Sequence, residues 1–213
     1  MKKIGLLLVV VFFIGMLSNI QAQRAIKNGF SINAVIGLSS KGFGLDNMES
    51  MNSDVQVKML YGLQLGNRWY FNPTEQYGIG LMVNWIDFAV GAKSTTINNF
   101  DYGIAAIDLT FLEVGPIGTY AISEDMAIDG YYNLRPTVFS YAIVDEDEDS
   151  YVSAGAGFSH TIGAAFRYNK LNIGIEYVFG GIEVSQEESA GINIPNNEKM
   201  SVNNFRIVFG FKF

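Results

Sequence analysis

The sequence predicts an all-β fold, and within that class an eight-stranded antiparallel up-and-down transmembrane β-barrel that follows a cleaved signal peptide. Three observations predict it. Apolar residues alternate with polar or small ones in eight separate segments, the spacing of strands with two unlike faces. The connections between those segments alternate long and short, as in barrels with longer loops on one side of a membrane and short turns on the other. After the leader, no apolar run reaches the roughly 18 residues of a helical span. Yet 49% of residues are apolar and 14% aromatic, so the apolar surface must be carried by strands.

The leader opens with Lys2 and Lys3, followed by uncharged, mostly apolar residues over 4–17 and then the polar Ser18-Asn19-Ile20-Gln21-Ala22-Gln23. A helix over 4–17 covers about 21 Å, short of a hydrocarbon core about 30 Å thick. It therefore reads as a secretory signal peptide, residues 1–22, cleaved after Ala22 and leaving the barrel at 23–213. There is no Cys, hence no thiol for a lipid anchor and no disulfide framework. Loss of Lys2 and Lys3 moves the formal charge from −7 to −9. Such an acidic chain lacks the basic surface that nucleic acid demands.

The first strand alternates Phe30, Ile32, Ala34, Ile36 and Leu38 with Ser31, Asn33, Val35 and Gly37. Residues 39–54, rich in Gly, Asn, Ser and acids, read as a long loop. The second strand sets Val57, Met59, Tyr61, Leu63 and Leu65 against Lys58, Leu60, Gly62, Gln64 and Gly66, and a turn at Asn72-Pro73-Thr74-Glu75 follows. The third sets Tyr77, Ile79, Leu81, Val83 and Trp85 against Gly78, Gly80, Met82 and Asn84, before a polar loop at 89–101. In the fourth, Ile107, Leu109 and Phe111 share one parity while Val114, Tyr120 and Ile122 share the other. A bulge near Leu112-Glu113 accounts for the switch. After Ser123-Glu124-Asp125, the fifth strand opposes Ile128, Tyr132, Leu134 and Val138 to Asp129, Tyr131, Asn133 and Arg135. A charged loop at 144–150 leads to the sixth, from about Tyr151 to Tyr168, which turns at Asn169-Lys170 into the seventh, Leu171 to Phe179. A loop at 180–203 precedes Phe205, Ile207, Phe209, Phe211 and Phe213, which alternate with Arg206, Val208, Gly210 and Lys212 in the closing strand.

Crowding decides which face is inside. An eight-stranded barrel has a narrow interior filled by side chains, so the face bearing Gly37, Gly62, Gly66, Gly78, Gly80, Gly163, Gly174 and Gly210 belongs inside and the bulky face outside, against lipid. A soluble ligand-binding barrel would have the opposite polarity. The charges on the Gly-rich face, Lys58, Glu113, Asp129, Arg135, Arg167, Glu176, Arg206 and Lys212, are expected in the lumen as a salt-bridge network, because unpaired charge is costly there. Trp69, Tyr70 and Tyr77 are expected at the periplasmic interface and Trp85 at the outer one, the levels amphipathic rings prefer.

Chemical motifs are sparse. The single His, His160, has Ser159 and Thr161 on the opposite face, so neither neighbour makes a catalytic partner for it. A calcium loop starting at Asp145 needs Gly and Glu where the chain has Ser150 and Ala156, so the run reads as a solvated acidic loop, with a looser surface site for divalent or lipopolysaccharide-bridging cations as the alternative. Gly155 and Gly157 are strand glycines, since no helix follows to make a phosphate loop.

The leader, the eight two-faced strands and the terminal Phe together resemble the small outer-membrane β-barrel proteins of Gram-negative bacteria, similar in size to OmpX or the OmpA membrane domain. The Gln21-Ala22-Gln23 region and the Asn-rich loops look like members from Bacteroidetes, within the outer-membrane β-barrel domain family. The resemblance implies an outer-membrane location with both termini periplasmic. It implies lipid and lipopolysaccharide as surroundings, and an assembly signal carried by Phe205, Ile207, Phe209, Phe211 and Phe213 and read by the barrel-assembly machinery. The expected role is structural or surface-interacting, through loops that meet an extracellular ligand or protein, with no enzyme activity and no cofactor. A small pore is the alternative, and a lipid-modifying enzyme a second.

Overall fold

Alternation at period two becomes a continuous wall of strands in the computed structural model, which describes residues 25–45, 56–97, 100–145, 150–185 and 199–213. The elements are β1 (Gly29–Leu45), β2 (Val57–Phe71), β3 (Tyr77–Ile97), β4 (Phe100–Ala121), β5 (Met126–Asp145), β6 (Ser150–Tyr168), β7 (Leu171–Phe179), β8 (Gly181–Ser185), β9 (Lys199–Ser201) and β10 (Asn204–Lys212). Each of β1 to β6 pairs antiparallel with the next, β7 joins β6 to β10, and β10 closes on β1. In that seam Ile36 faces Ile207 and Ala34 faces Phe209. The ten segments make eight staves, because β8 prolongs β7 and β9 leads into β10. Gly180, at φ +150°, breaks the first of these pairs in a conformation that side-chain-bearing residues avoid. The closed eight-stranded antiparallel barrel expected from the alternation is the observed fold.

Short turns at 72–76, 122–125 and 169–170 share one end with Gly29 and Phe213, where Phe30 N donates to Phe213 O at 3.1 Å. The opposite end departs from expectation. Residues 89–101 were expected to loop, but β3 runs to Ile97 and β4 starts at Phe100, with Ser94 opposite Gly103 and Thr96 opposite Asp101. β1 reaches Leu45, and β8 and β9 occupy parts of the expected loop 180–203. Small and polar residues mask these strands in the sequence, yet each has a cross-strand partner, which suffices for a ladder. Residues 46–55, 98–99, 146–149 and 186–198 of the four loops lie outside the described residues, as do the leader, residues 1–22, and the two residues that follow it.

Bulges turn strands over at two positions in the middle of the wall. The pairing of β4 with β5 shifts between Thr110 and Val114, and Leu112 has φ +59°. Phe111 and Leu112 consequently both face out while Glu113 is fully buried. A second shift, at Leu65 and Gly66 on β2, leaves Trp85 of β3 as the extra residue. Trp85 and Ile86 are both exposed, and Asp87 turns inward.

The interior has an apolar loop end, a charged middle and a turn end where apolar side chains mix with charges. Phe43, Leu60, Phe139, Ile182 and Met200 are among those packed at the loop end, and Ile26, Tyr70, Met82, Ile117 and Tyr131 among those at the turn end. Inward glycines permit this filling. A Cβ at Gly115 would lie 1.8 Å from Tyr132 O, a backbone atom unable to yield. The outer wall is the reverse of a soluble surface, with Ile79 72%, Phe158 62% and Ile175 52% exposed.

Candidate functional site

The lumen charges are, among the described residues, the one dense constellation of reactive side chains. Among the described residues, five acids (Asp87, Asp108, Glu113, Asp129, Glu176) and five cations (Arg68, Arg135, Arg167, Arg206, Lys212) are buried. Opposite charges so confined hold one another only when geometry and hydrogen bonds are good.

In the middle of the lumen, Arg206 of β10 donates to Asp87 Oδ2 through Nη1 at 2.6 Å and to Asp108 Oδ2 through Nη2 at 2.7 Å. Arg135 of β5 donates to the same two atoms through Nη2, at 2.9 and 3.5 Å. Two guanidinium groups thus span two carboxylates contributed by β3 and β4. Glu113 accepts from Asn84 Nδ2 at 3.1 Å and Asn133 Nδ2 at 3.0 Å, with Arg135 Nε 3.7 Å away. Glu176 accepts from Tyr131 Oη at 3.0 Å and Gln64 Nε2 at 3.1 Å. Gln64 also donates to Asp87 at 3.3 Å, joining the groups across the lumen.

Nearer the turn end, Arg167 grips Asp129 with two bonds, Nε to Oδ2 at 2.7 Å and Nη2 to Oδ1 at 2.9 Å. Such bidentate pairs are the strong ones. Arg68 adds a third bond at 3.0 Å and Thr119 a fourth at 2.6 Å. The Thr119 proton is therefore committed to Asp129, so Tyr70 Oη donates to Thr119 Oγ1 across their 2.8 Å contact. Arg167 Nη1 also donates to Ala25 O at 2.6 Å, and Tyr70 N to Asn28 Oδ1 at 2.7 Å. Lys212 Nζ donates to Lys27 O and lies 5.4 Å from the centre of the Tyr70 ring. Residues 25–28 are thereby tied across the turn-end mouth.

Of the lumen charges read from the sequence, Glu113, Asp129, Arg135, Arg167, Glu176, Arg206 and Lys212 are buried. Lys58 is a correction: its side chain is exposed. The pairing of β1 with β2 is interrupted between Leu38 and Phe43, so Val57, opposite Phe43, takes the inward position. That level belongs to the apolar cluster, where an ammonium group has no partner. Tyr70 is a second correction, buried at 6% rather than lying in the outer aromatic belt. β2 continues through it without a parity change, so it follows Gln64, Gly66 and Arg68 inward. Trp85 does not mark the opposite rim from Trp69. The two rings meet edge to face at 6.0 Å, and Trp85 Nε1 donates to Asn67 Oδ1 at 2.8 Å, because the bulge lays the ring back along β2. Tyr77 is exposed and meets Tyr120 at 5.3 Å. In the closing strand Phe205, Ile207, Phe209 and Phe213 face outward, while Phe211 is covered, its ring against Phe209.

Three lumen charges escaped the sequence reading. Arg68 continues the inward parity of Gln64 and Gly66, and Asp108 lies between the outward Ile107 and Leu109, so periodicity alone locates both. Asp87 is different, since the bulge at Trp85 reverses its face. On the outer wall, His160 Nδ1 is 2.7 Å from Tyr132 Oη, and its ring stacks between Tyr132 and Phe179. Ser159 and Thr161 face the lumen instead.

No protein-family model matches the chain, and no curated protein is similar enough to match. Solved structures similar to it include the attachment invasion locus protein Ail of Yersinia pestis, 16% identical over 87% of this chain and 97% of that one, TM-score 0.45. The outer membrane protein OprG of Pseudomonas aeruginosa is 14% identical over 92% and 99% of the two chains, TM-score 0.45. The outer membrane protease OmpT of Escherichia coli is 10% identical over 87% and 95%, TM-score 0.49. At such identities the functions of these proteins do not carry over.

Proposed function

We propose that the chain is an integral outer-membrane barrel with a closed lumen, and that it acts as a structural or surface-interaction protein through the end opposite its short turns. The observation that carries this reading is the inverted polarity of the barrel. Large apolar side chains are exposed around the wall, whereas ten charged residues among those described are buried within it. In water this arrangement exposes the wrong surface; in a bilayer it presents hydrocarbon to lipid and satisfies every strand without an edge. With the short turns, Gly29 and Phe213 at one end of the barrel, this reading has both termini periplasmic and the extended hairpins extracellular.

Closure of the lumen is supported by its filling. Two guanidinium groups bridge opposite walls, and apolar clusters occupy the levels above and below. An ion crossing such an interior would have to displace charge-assisted bonds. The reading is non-enzymatic, since the His160 ring is engaged on the lipid side, away from the lumen hydroxyls.

The test is heat-modifiable gel mobility in the outer-membrane fraction, combined with planar-bilayer recordings of the purified protein. Mobility that shifts on boiling and no steady single-channel conductance are expected. Recovery in the soluble periplasm refutes the membrane reading, and a steady conductance refutes the closed lumen.

A further inference from the structure

Charge is divided unevenly along the lumen. Among the described residues, the middle holds four buried acids, Asp87, Asp108, Glu113 and Glu176, against two cations, Arg135 and Arg206. The turn end holds three buried cations, Arg68, Arg167 and Lys212, against the single acid Asp129. The two surpluses do not meet. Arg135 and Arg206 take up Asp87 and Asp108, while Glu113 and Glu176 accept their hydrogen bonds from the neutral Asn84, Asn133, Tyr131 and Gln64. Among the described residues, Asp129 is thus the one carboxylate paired with a turn-end cation.

Main chain meets the donors that Asp129 leaves over. Arg167 Nη1 donates to Ala25 O at 2.6 Å and Lys212 Nζ to Lys27 O. Arg68 Nε has no partner, although Arg68 is only 1% exposed. A carbonyl supplies a dipole but no charge, so two positive charges stay uncompensated where burial makes that costly. The segment that supplies these carbonyls is not part of the wall. Residues 25–28 precede β1, and Ile26 is wedged over Gly78, where a Cβ would lie 2.5 Å from Ile26 Cγ2. Lys27 and Asn28 are exposed. A segment held by so few contacts opens at low free-energy cost.

We infer that the turn-end mouth is a binding site for a dianionic phosphate, and that residues 25–28 occupy it as a built-in competitor. Ala25 O and Lys27 O stand where two phosphate oxygens would. When the segment swings away, Arg167 Nη1 and Lys212 Nζ are freed, with Arg68 beside them on the same Asp129 oxygen that Arg167 uses. A phosphate monoester carries about −1.5 to −2 at neutral pH, which matches the surplus, whereas a carboxylate or a phosphodiester supplies a single charge. Guanidinium and ammonium groups are the donors that phosphate oxygens favour. The inference rests on the membrane reading, which puts this mouth on the periplasmic side.

The experiment titrates the full mature barrel, in micelles free of phospholipid, with inorganic phosphate, glycerol phosphate and a phosphodiester. Chloride holds the ionic strength constant, and binding is read from amide resonances and from hydrogen exchange at Tyr70 N, which donates to Asn28. Phosphate is expected to shift the amides of residues 25–28 and to speed exchange at Tyr70 N, and the phosphodiester to bind about tenfold more weakly or worse. Ile26→Ser, which removes the wedge, is expected to raise phosphate affinity about tenfold, because the competitor is already unseated. Lys212→Met is expected to lower it about tenfold. Folding is checked by heat-modifiable mobility, and Gly78→Leu is a second unseating variant if Ile26→Ser does not fold. Tighter binding of glycerol phosphate than of inorganic phosphate assigns the natural ligand to a phosphomonoester, and equal or weaker binding assigns it to free phosphate. A chloride response equal to that of phosphate overturns the site. So does unchanged affinity in Lys212→Met, or affinity that fails to rise when the segment is unseated. A barrel with heat-modifiable mobility that ignores phosphate refutes this inference alone, whereas a chain found in the soluble fraction refutes the membrane reading.

Discussion

Replacing Arg206 with Met removes a guanidinium held between two carboxylates in the centre of the lumen. Asp87 keeps Arg135 at 2.9 Å and Gln64 at 3.3 Å, but Asp108 loses its 2.7 Å bond and keeps only Arg135 at 3.5 Å. Both carboxylates are fully buried, so water cannot replace the lost donor without opening the wall. Breaking a buried pair from one side costs about 3–5 kcal/mol, because a charge is left uncompensated. The orphan is Asp108, so Asp108→Asn introduced into the Arg206→Met protein is expected to recover about 1–3 kcal/mol. Arg206→Lys keeps the charge but not the fork that reaches two carboxylates, and is expected to lie between Met and the native protein. The assay is urea unfolding in micelles, followed by heat-modifiable mobility. An Arg206→Met protein within about 1 kcal/mol of the native one, or strict additivity in the double variant, would refute the coupled network.

Other expected outcomes test the remaining layers of the design. Lys58→Ala should change stability by no more than about 0.5 kcal/mol in the same urea titration, since the side chain is exposed. Ile175→Arg, on the outer wall between Ala164 and Ile207, should cost about 2–4 kcal/mol if it lies near the bilayer midplane. The diagnostic comparison is bilayer against detergent, because the penalty belongs to lipid. Gly115→Val should abolish the fast-migrating folded form on unboiled gels, as its Cβ falls 1.8 Å from Tyr132 O. Arg167→Ala should release residues 25–28, read as faster hydrogen exchange at Tyr70 N, which donates to Asn28.

Much of this barrel was legible from residue order. Side chains alternate strictly along a strand, so the parity of Ile128, Asp129, Arg135 and Glu176 is a local property that no distant contact alters. The bulge at Leu112 could be located because apolar residues on either side of it disagree in parity, and the structure has the φ of +59° there. Strand ends were less legible. Ala92, Ser94, Gly103 and Asp101 look like loop residues, and only a partner across the hairpin makes them strand.

Taken alone, then, the sequence determined the class of fold, the strand number, the two faces and most of the charges on the inner one, because each follows from spacing along the chain. Tertiary structure decided the rest. It turned Asp87 inward through a bulge and Lys58 outward through a broken register. It also chose which acid meets which cation. Arg206 finds Asp87 and Asp108 from 119 and 98 residues away. Such pairing depends on how far around the closed sheet, and at what height, two side chains stand, and those coordinates exist only once the barrel has shut.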